Sequence, residues 1–194
     1  MPSYDLRTAL IVVDVQNDFA DPAGGLPVGG ADRVIPEVNA QIGLARAAGA
    51  MVVYAQDSHP PVTPHFAKDG GAWPEHCVMG TWGAELHPAL VVKGEVVRKG
   101  EDGGDGYSGF SVRDPGSGQT DPTALDGLLR TAGVTRVVVV GLATDYCVVE
   151  TACDARMLRY SVEVVRDAIA AVDLEPGDGE RAITRMRDAG AEVV

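Results

Sequence analysis

The chain reads as an α/β protein, a three-layer α/β/α arrangement around a six-stranded, mainly parallel sheet. Short uninterrupted apolar runs, of which Val137-Val-Val-Val140 is the clearest, have the character of strands buried on both faces. These runs alternate almost throughout with segments whose apolar residues recur at helical spacing. The residues predicted at the carboxyl ends of the runs (Asp14, Asp57, Lys99 and Cys147) are chemically rich, and that edge is where such sheets bind ligands.

Each element follows from local pattern. Residues 9–13 (Ala-Leu-Ile-Val-Val) form the first strand, with Asp14 at its end, and the Gly/Pro-rich residues 22–31 form a loop. Asp32 is the expected N-cap of a helix carrying Val34, Ile35, Val38, Ile42 and Ala45, which Gly49 stops. Residues 50–55 form the second strand and lead to Gln56 and Asp57. Residues 58–94 are irregular, yet they hold all 4 histidines and both tryptophans, and long ordered loops tend to carry function. Residues 95–98 form a third strand that delivers Lys99. After a loop over 100–120, Asp121-Pro122 is expected to cap a helix running through Leu125, Leu128 and Leu129 to Gly133. The 137–140 strand passes through Gly141 to Thr144 and Asp145, the expected caps of a helix built on Val148, Val149, Ala152, Ala155 and Met157. A fifth strand (162–165), a helix (179–189, ended by Gly190) and a sixth strand (191–194) complete the alternation.

At 194 residues the chain is expected to form one domain, residues 1–194. A net charge of −12 argues against nucleic acid and anionic membrane surfaces as partners, because both require basic patches. The 3 cysteines include no CxxC pair and predict free thiols in a reducing compartment. No apolar run approaches the roughly 20 residues of a membrane span, and no signal-peptide pattern opens the sequence. The cytoplasm is the expected location; oligomeric state, monomer or homo-oligomer, is left open.

The chemistry starts from Cys147. A thiol at a strand-to-helix turn meets converging backbone N–H groups and the positive end of the helix dipole, which predicts a lowered pKa and a nucleophilic thiolate. Asp14 could take the thiol proton and pass it to a departing amine, with Lys99 keeping the acid ionised. Asp57-Ser-His59 places two ligands on one face of an extended segment, with His65 and His76 in the same loop. One carboxylate with two or three imidazoles suits a divalent cation: zinc, iron(II) or manganese. His87, Cys77 and Cys153 read as structural. Phe19, Trp73 and Tyr107 lie in loops at the same end of the sheet and could sandwich a flat ring.

Taken together, Asp14-Val-Gln-Asn-Asp-Phe19, Asp57-Ser-His59, Trp73-Pro-Glu-His76-Cys77-Val-Met-Gly80-Thr81, Arg98-Lys99-Gly100, Tyr107-Ser-Gly-Phe110 and Gly141-Leu-Ala-Thr-Asp-Tyr-Cys147 resemble the nicotinamidase/pyrazinamidase branch of the isochorismatase-like cysteine hydrolases. The segments follow that family's order from about residue 8 to the C-terminus. The resemblance implies hydrolysis of nicotinamide to nicotinate and ammonia, and a catalytic triad of Asp14, Lys99 and Cys147. It implies Asp57, His59 and His76 as metal ligands, with zinc the first expectation and His65 a fourth ligand that only some members use. Phe19 and Trp73 match the residues that pack on the pyridine ring. A cis peptide between Leu142 and Ala143, and an oxyanion hole from the Ala143 and Cys147 amides, are implied as well. The Gly/Asp-rich stretch 100–106 departs from the common pattern and bears on the choice of amide. Rival readings are an N-carbamoyl or ureidoacrylate-type hydrolase lacking the metal set, a non-catalytic binding module on this fold, and a purely metal-binding protein.

Overall fold

The computed structural model describes residues 2–194. A six-stranded sheet runs in the order β3-β2-β1-β6-β7-β8, from β1 (Thr8–Val13), β2 (Met51–Asp57), β3 (Glu95–Lys99), β6 (Arg136–Leu142), β7 (Ser161–Ala170) and β8 (Glu192–Val193). Every neighbouring pair is parallel, as the alternation of strands and helices predicts. Three successive strands run outward one way from β1 and three the other way from β6. The topological switch point therefore lies between these two, and the carboxyl ends beside it are those of Asp14 and Gly141-Leu142.

Alternation along β1 decides which helix covers which face. Ala9, Ile11 and Val13 point into one core, packed with α3 (Leu125–Thr131), α4 (Val149–Met157) and α5 (Asp178–Asp188). Leu10 and Val12 point into the other, beneath α2 (Ala31–Ala47). Both sets are buried completely or nearly so, which is why the strands read as continuous apolar runs.

Several local expectations are corrected. Gly30, in the left-handed region, precedes α2, so Asp32 sits in the first turn and favours the helix through the dipole rather than as a cap. Asp121-Pro122 does not cap α3. It belongs to β5 (Thr120–Pro122), which pairs with β4 (Ser111–Arg113) as an antiparallel ribbon, while the Thr123 hydroxyl accepts the Leu125 amide at 3.2 Å. These strands are 3 residues each and mostly exposed, so no apolar period marks them in sequence. Strand β7 outruns its predicted 162–165 because a register shift against β6 lets it continue past an irregularity to Ala170. Thr144 and Asp145 do not cap a regular helix either. Residues Thr144–Val148 form a π-type turn before α4, and the Asp145 carboxylate instead accepts the Val172 and Asp173 amides at 3.0 and 2.8 Å.

Two buried side chains fasten the long 58–94 excursion to the sheet. Gln16 donates to the carbonyls of Asp57 and Ala84 at 2.8 and 2.9 Å and accepts the Asp57 amide at 2.8 Å. Asp18, on the short helix α1 (Asn17–Ala20), accepts the amides of Cys77 and Gly25 at 2.6 and 2.8 Å. The same carboxylate explains Gly83, where a Cβ would fall 2.0 Å from Asp18 Oδ2.

Gly141 marks a close backbone crossing between β1 and β6. Its φ is +116°, and a Cβ there would lie 2.1 Å from the Val13 carbonyl oxygen. Gly141→Ala is expected to destabilise the fold by at least about 2 kcal/mol, read as a lower urea midpoint at unchanged m-value. An unaltered midpoint would show that β1 and β6 can part at no cost.

Candidate active site

The carboxyl ends of four strands bring four of the expected residues together. Asp14 follows β1, Asp57 and Lys99 end β2 and β3 as paired neighbours, and Cys147 lies in the turn after β6. All four are buried. Lys99 Nζ sits 3.1 Å from Asp14 Oδ2, 3.1 Å from Asp57 Oδ1 and 3.7 Å from Cys147 Sγ. One ammonium thus touches two carboxylates and the thiol.

The charge states follow from that sharing. Burial alone would lower the Lys99 pKa, but Asp14 and Asp57 raise it well above its ordinary value. Burial would raise Asp57, yet Lys99, His59 and His76 hold it well below the usual carboxylate range. Asp14 goes the other way: burial and the neighbouring Asp57 charge raise its pKa against the pull of Lys99. Cys147 corrects the expectation of a depressed thiol. Burial pushes its pKa well up, and Asp14 and Asp57 add to the rise against Lys99. Burial, with the two acids adding to it, outweighs the ammonium, so the resting sulfur is a thiol and needs a base to become a nucleophile.

The second cluster begins on the other oxygen of Asp57. Its Oδ2 lies 3.1 Å from His59 Nε2 and 3.6 Å from His76 Nε2. His59, His65 and His76 each offer a ring nitrogen, and these nitrogens lie within 4.8 Å of one another. Ligands about 2.0–2.1 Å from a shared tetrahedral ion stand roughly 3.3 Å apart, so Asp57, His59 and His76 have the spacing of common ligands. All three imidazoles are buried, and His76 Nδ1 donates to the Pro74 carbonyl at 2.8 Å, leaving Nε2 for the centre. The donor set therefore fits a metal ion, and His65 joins the other two imidazoles. His87 stays outside, accepting the Ala89 amide near Asp21. Cys77 and Cys153 are buried free thiols that the imidazole cluster does not include, Cys153 in the core beneath α4.

A cavity opens between the two clusters. Phe19, Trp73, Tyr107, Ala143 and Cys147 line it, together with Asp57, His65 and His76. Trp73 Nε1 donates to the Tyr107 hydroxyl at 3.0 Å, and Trp73 meets Tyr146 edge-on at 5.0 Å, so the aromatics form a mutually fixed wall. The Leu142–Ala143 peptide is cis. Leu26, Val28, Tyr146 and Val172 also line the cavity, and none was singled out from sequence. Tyr146 could have been, since it adjoins Cys147; the aliphatic residues carry no signal beyond ordinary core composition.

Residues 8–194 match the isochorismatase domain model. The nicotinamidase of Escherichia coli (strain K12) is 37% identical, with 94% of this chain and 92% of that protein aligned. The pyrazinamidase of Pyrococcus horikoshii, solved in complex with zinc, is 40% identical with a TM-score of 0.86, covering 97% of this chain and 98% of that one. PnC1 from L. infantum, solved in complex with nicotinate, is 35% identical with a TM-score of 0.89, covering 100% of this chain and 95% of that one. With a domain match over almost its whole length and relatives well above 30% identity, the chain belongs to the isochorismatase family.

Proposed function

We propose that this protein is a cysteine amidohydrolase that converts nicotinamide to nicotinate and ammonia, with pyrazinamide-type analogues also accepted, acting as one domain. The observation that carries the reading is the shared cavity: a thiol with its acid and lysine on one side, a three-imidazole cluster on the other, and an aromatic wall between them. Similarity to a nicotinamidase and to a nicotinate-bound structure supports the choice of a pyridine carboxamide. The intact metal-ligand set favours this over an N-carbamoyl or ureidoacrylate-type substrate.

The chemistry follows from the charges. Asp57, His59, His65 and His76 would hold one divalent cation, zinc by likeness to the zinc-bound relative, which when bound supplies a Lewis-acidic anchor for the ring nitrogen. Phe19, Trp73 and Tyr107 hold the ring so that its carboxamide carbon faces Cys147. Asp14 takes the Cys147 proton as Sγ attacks that carbon, and Lys99 stabilises the sulfur and the acid in turn. The amides of Ala143 and Cys147 receive the oxyanion. Asp14 then returns the proton to the departing nitrogen, the C–N bond breaks and ammonia leaves a thioester on Cys147. Asp14 next deprotonates a water, which adds to the thioester; nicotinate leaves and the thiol is restored.

Three outcomes test this. Cys147→Ala is expected to lower ammonia release from nicotinamide by about 10³-fold or more at unchanged melting temperature, and turnover near wild type would remove the nucleophile. His76→Ala is expected to reduce bound metal, measured by elemental analysis, and to raise KM for nicotinamide; an unchanged metal content would exclude His76 from the cluster. Lys99→Met leaves two buried carboxylates without their cation, so it is expected to cost about 3–5 kcal/mol in urea unfolding as well as activity. Wild-type stability in that variant would mean that the ammonium does not hold the acids.

A further inference from the structure

Asp105 is the one carboxylate side chain, among the described residues, that lies on the remote nitrogen of a clustered imidazole. Its Oδ1 sits 2.8 Å from His65 Nδ1. The comparable nitrogen of His76 is held by a backbone carbonyl, and that of His59 has no partner. Asp105 comes from the Gly/Asp-rich stretch 100–106, 40 residues beyond His65, so the contact is wholly tertiary.

The stretch is built to deliver that carboxylate. Asp105 pairs with Arg113 in both directions, N to O at 2.6 Å and 2.5 Å, an isolated antiparallel bridge beside the β4–β5 ribbon. Its Oδ1 also accepts the Gly106 amide at 2.7 Å. The flanking glycines are needed for the path: Gly106 has φ +122°, and a Cβ on Gly104 would come 3.3 Å from Val112 Cβ. Held in this way, the acid takes the Nδ1 proton of His65 as a hydrogen bond and leaves Nε2 as the nitrogen His65 can offer. The His65 ring meanwhile stacks on His59 at 4.5 Å.

We propose that Asp105 is the positioning residue that makes His65 a metal ligand, the ribbon-seated carboxylate aiming the Nε2 lone pair at the site shared with His59 and His76. This rests on the metal-ion part of the function proposed above. It gives the Gly/Asp-rich stretch a role: it ties the third imidazole to the β4–β5 ribbon.

The test is zinc affinity, measured on metal-free protein by competition with a chromophoric chelator. Asp105→Ala is expected to weaken zinc binding by about 10–100-fold. Asp105→Asn, whose amide oxygen accepts the same N–H, is expected to restore most of the loss. In a His65→Ala background, Asp105→Ala is expected to have no further effect, because its action passes through that ring. The metal-free variants are expected to melt together, since Ala keeps the backbone pairing with Arg113. Unchanged zinc affinity in Asp105→Ala, or an equal loss with and without His65, overturns the proposal. If zinc binding survives Asp105→Ala but is lost in His76→Ala, only the role of Asp105 fails; if the wild-type protein takes up no zinc, the metal reading fails and this inference with it.

Discussion

A single buried ammonium organises the functional end of this molecule. Lys99 lies 3.1 Å from both Asp14 and Asp57 and is 2% exposed. Burying an ion costs several kcal/mol unless its partners are close and well placed. Here two acids serve one cation, so the trio carries a net negative charge when all are ionised. Asp57 is pulled down by Lys99 and the histidines, and Asp14 is left with the raised pKa. The raised pKa values of Asp14 and of the Cys147 thiol follow first from burial, and the surplus negative charge adds to both. With one carboxylate fewer, both would be lower.

Asp57 is also where the two halves of the site meet. One oxygen faces Lys99 and the other faces His59 and His76, so the imidazole cluster and the lysine beside the thiol meet at a single side chain. Its backbone has little room to move: Gln16 holds both its N–H and its C=O. Asp18 does similar work at Cys77, the residue after His76, so the segment Asp14–Phe19 pins both the strand end and the loop that bring Asp57 and His76 together. The polar positions of that segment are all buried, and Phe19 lines the cavity beside them. The two positions that bear on the loop most directly, Gln16 and Asp18, touch neither the thiol nor the imidazole nitrogens.

Much of the molecule was legible in the amino-acid order because its largest energy term is local in pattern. Five-residue and four-residue apolar runs rich in β-branched residues and bounded by turn residues fit strands buried on both faces, and the intervening helical spacing then supplies cover on each side. That argument yields the parallel sheet and the end of the sheet at which Asp14, Asp57, Lys99 and Cys147 stand. It fails where burial is absent: the exposed β4–β5 ribbon has no period to read, and Asp121-Pro122 looked like a cap because cap and strand-edge residues draw on the same polar set.

What the chain alone determined, then, was the inventory and its address: two acids, a lysine, a thiol and three imidazoles, each following a strand or lying in one loop. Only the tertiary structure decided their protonation and their alliances. The pKa of Cys147, expected to fall from its place at a helix start, instead rises, because burial and two carboxylates close in space act on it against Lys99. Asp105 meets His65 through the path of a glycine-rich loop and a backbone bridge to Arg113, neither of which has a periodic signature. Secondary structure is set by neighbours in sequence, whereas charge state is set by neighbours in space, and the latter exist only once the chain has closed on itself.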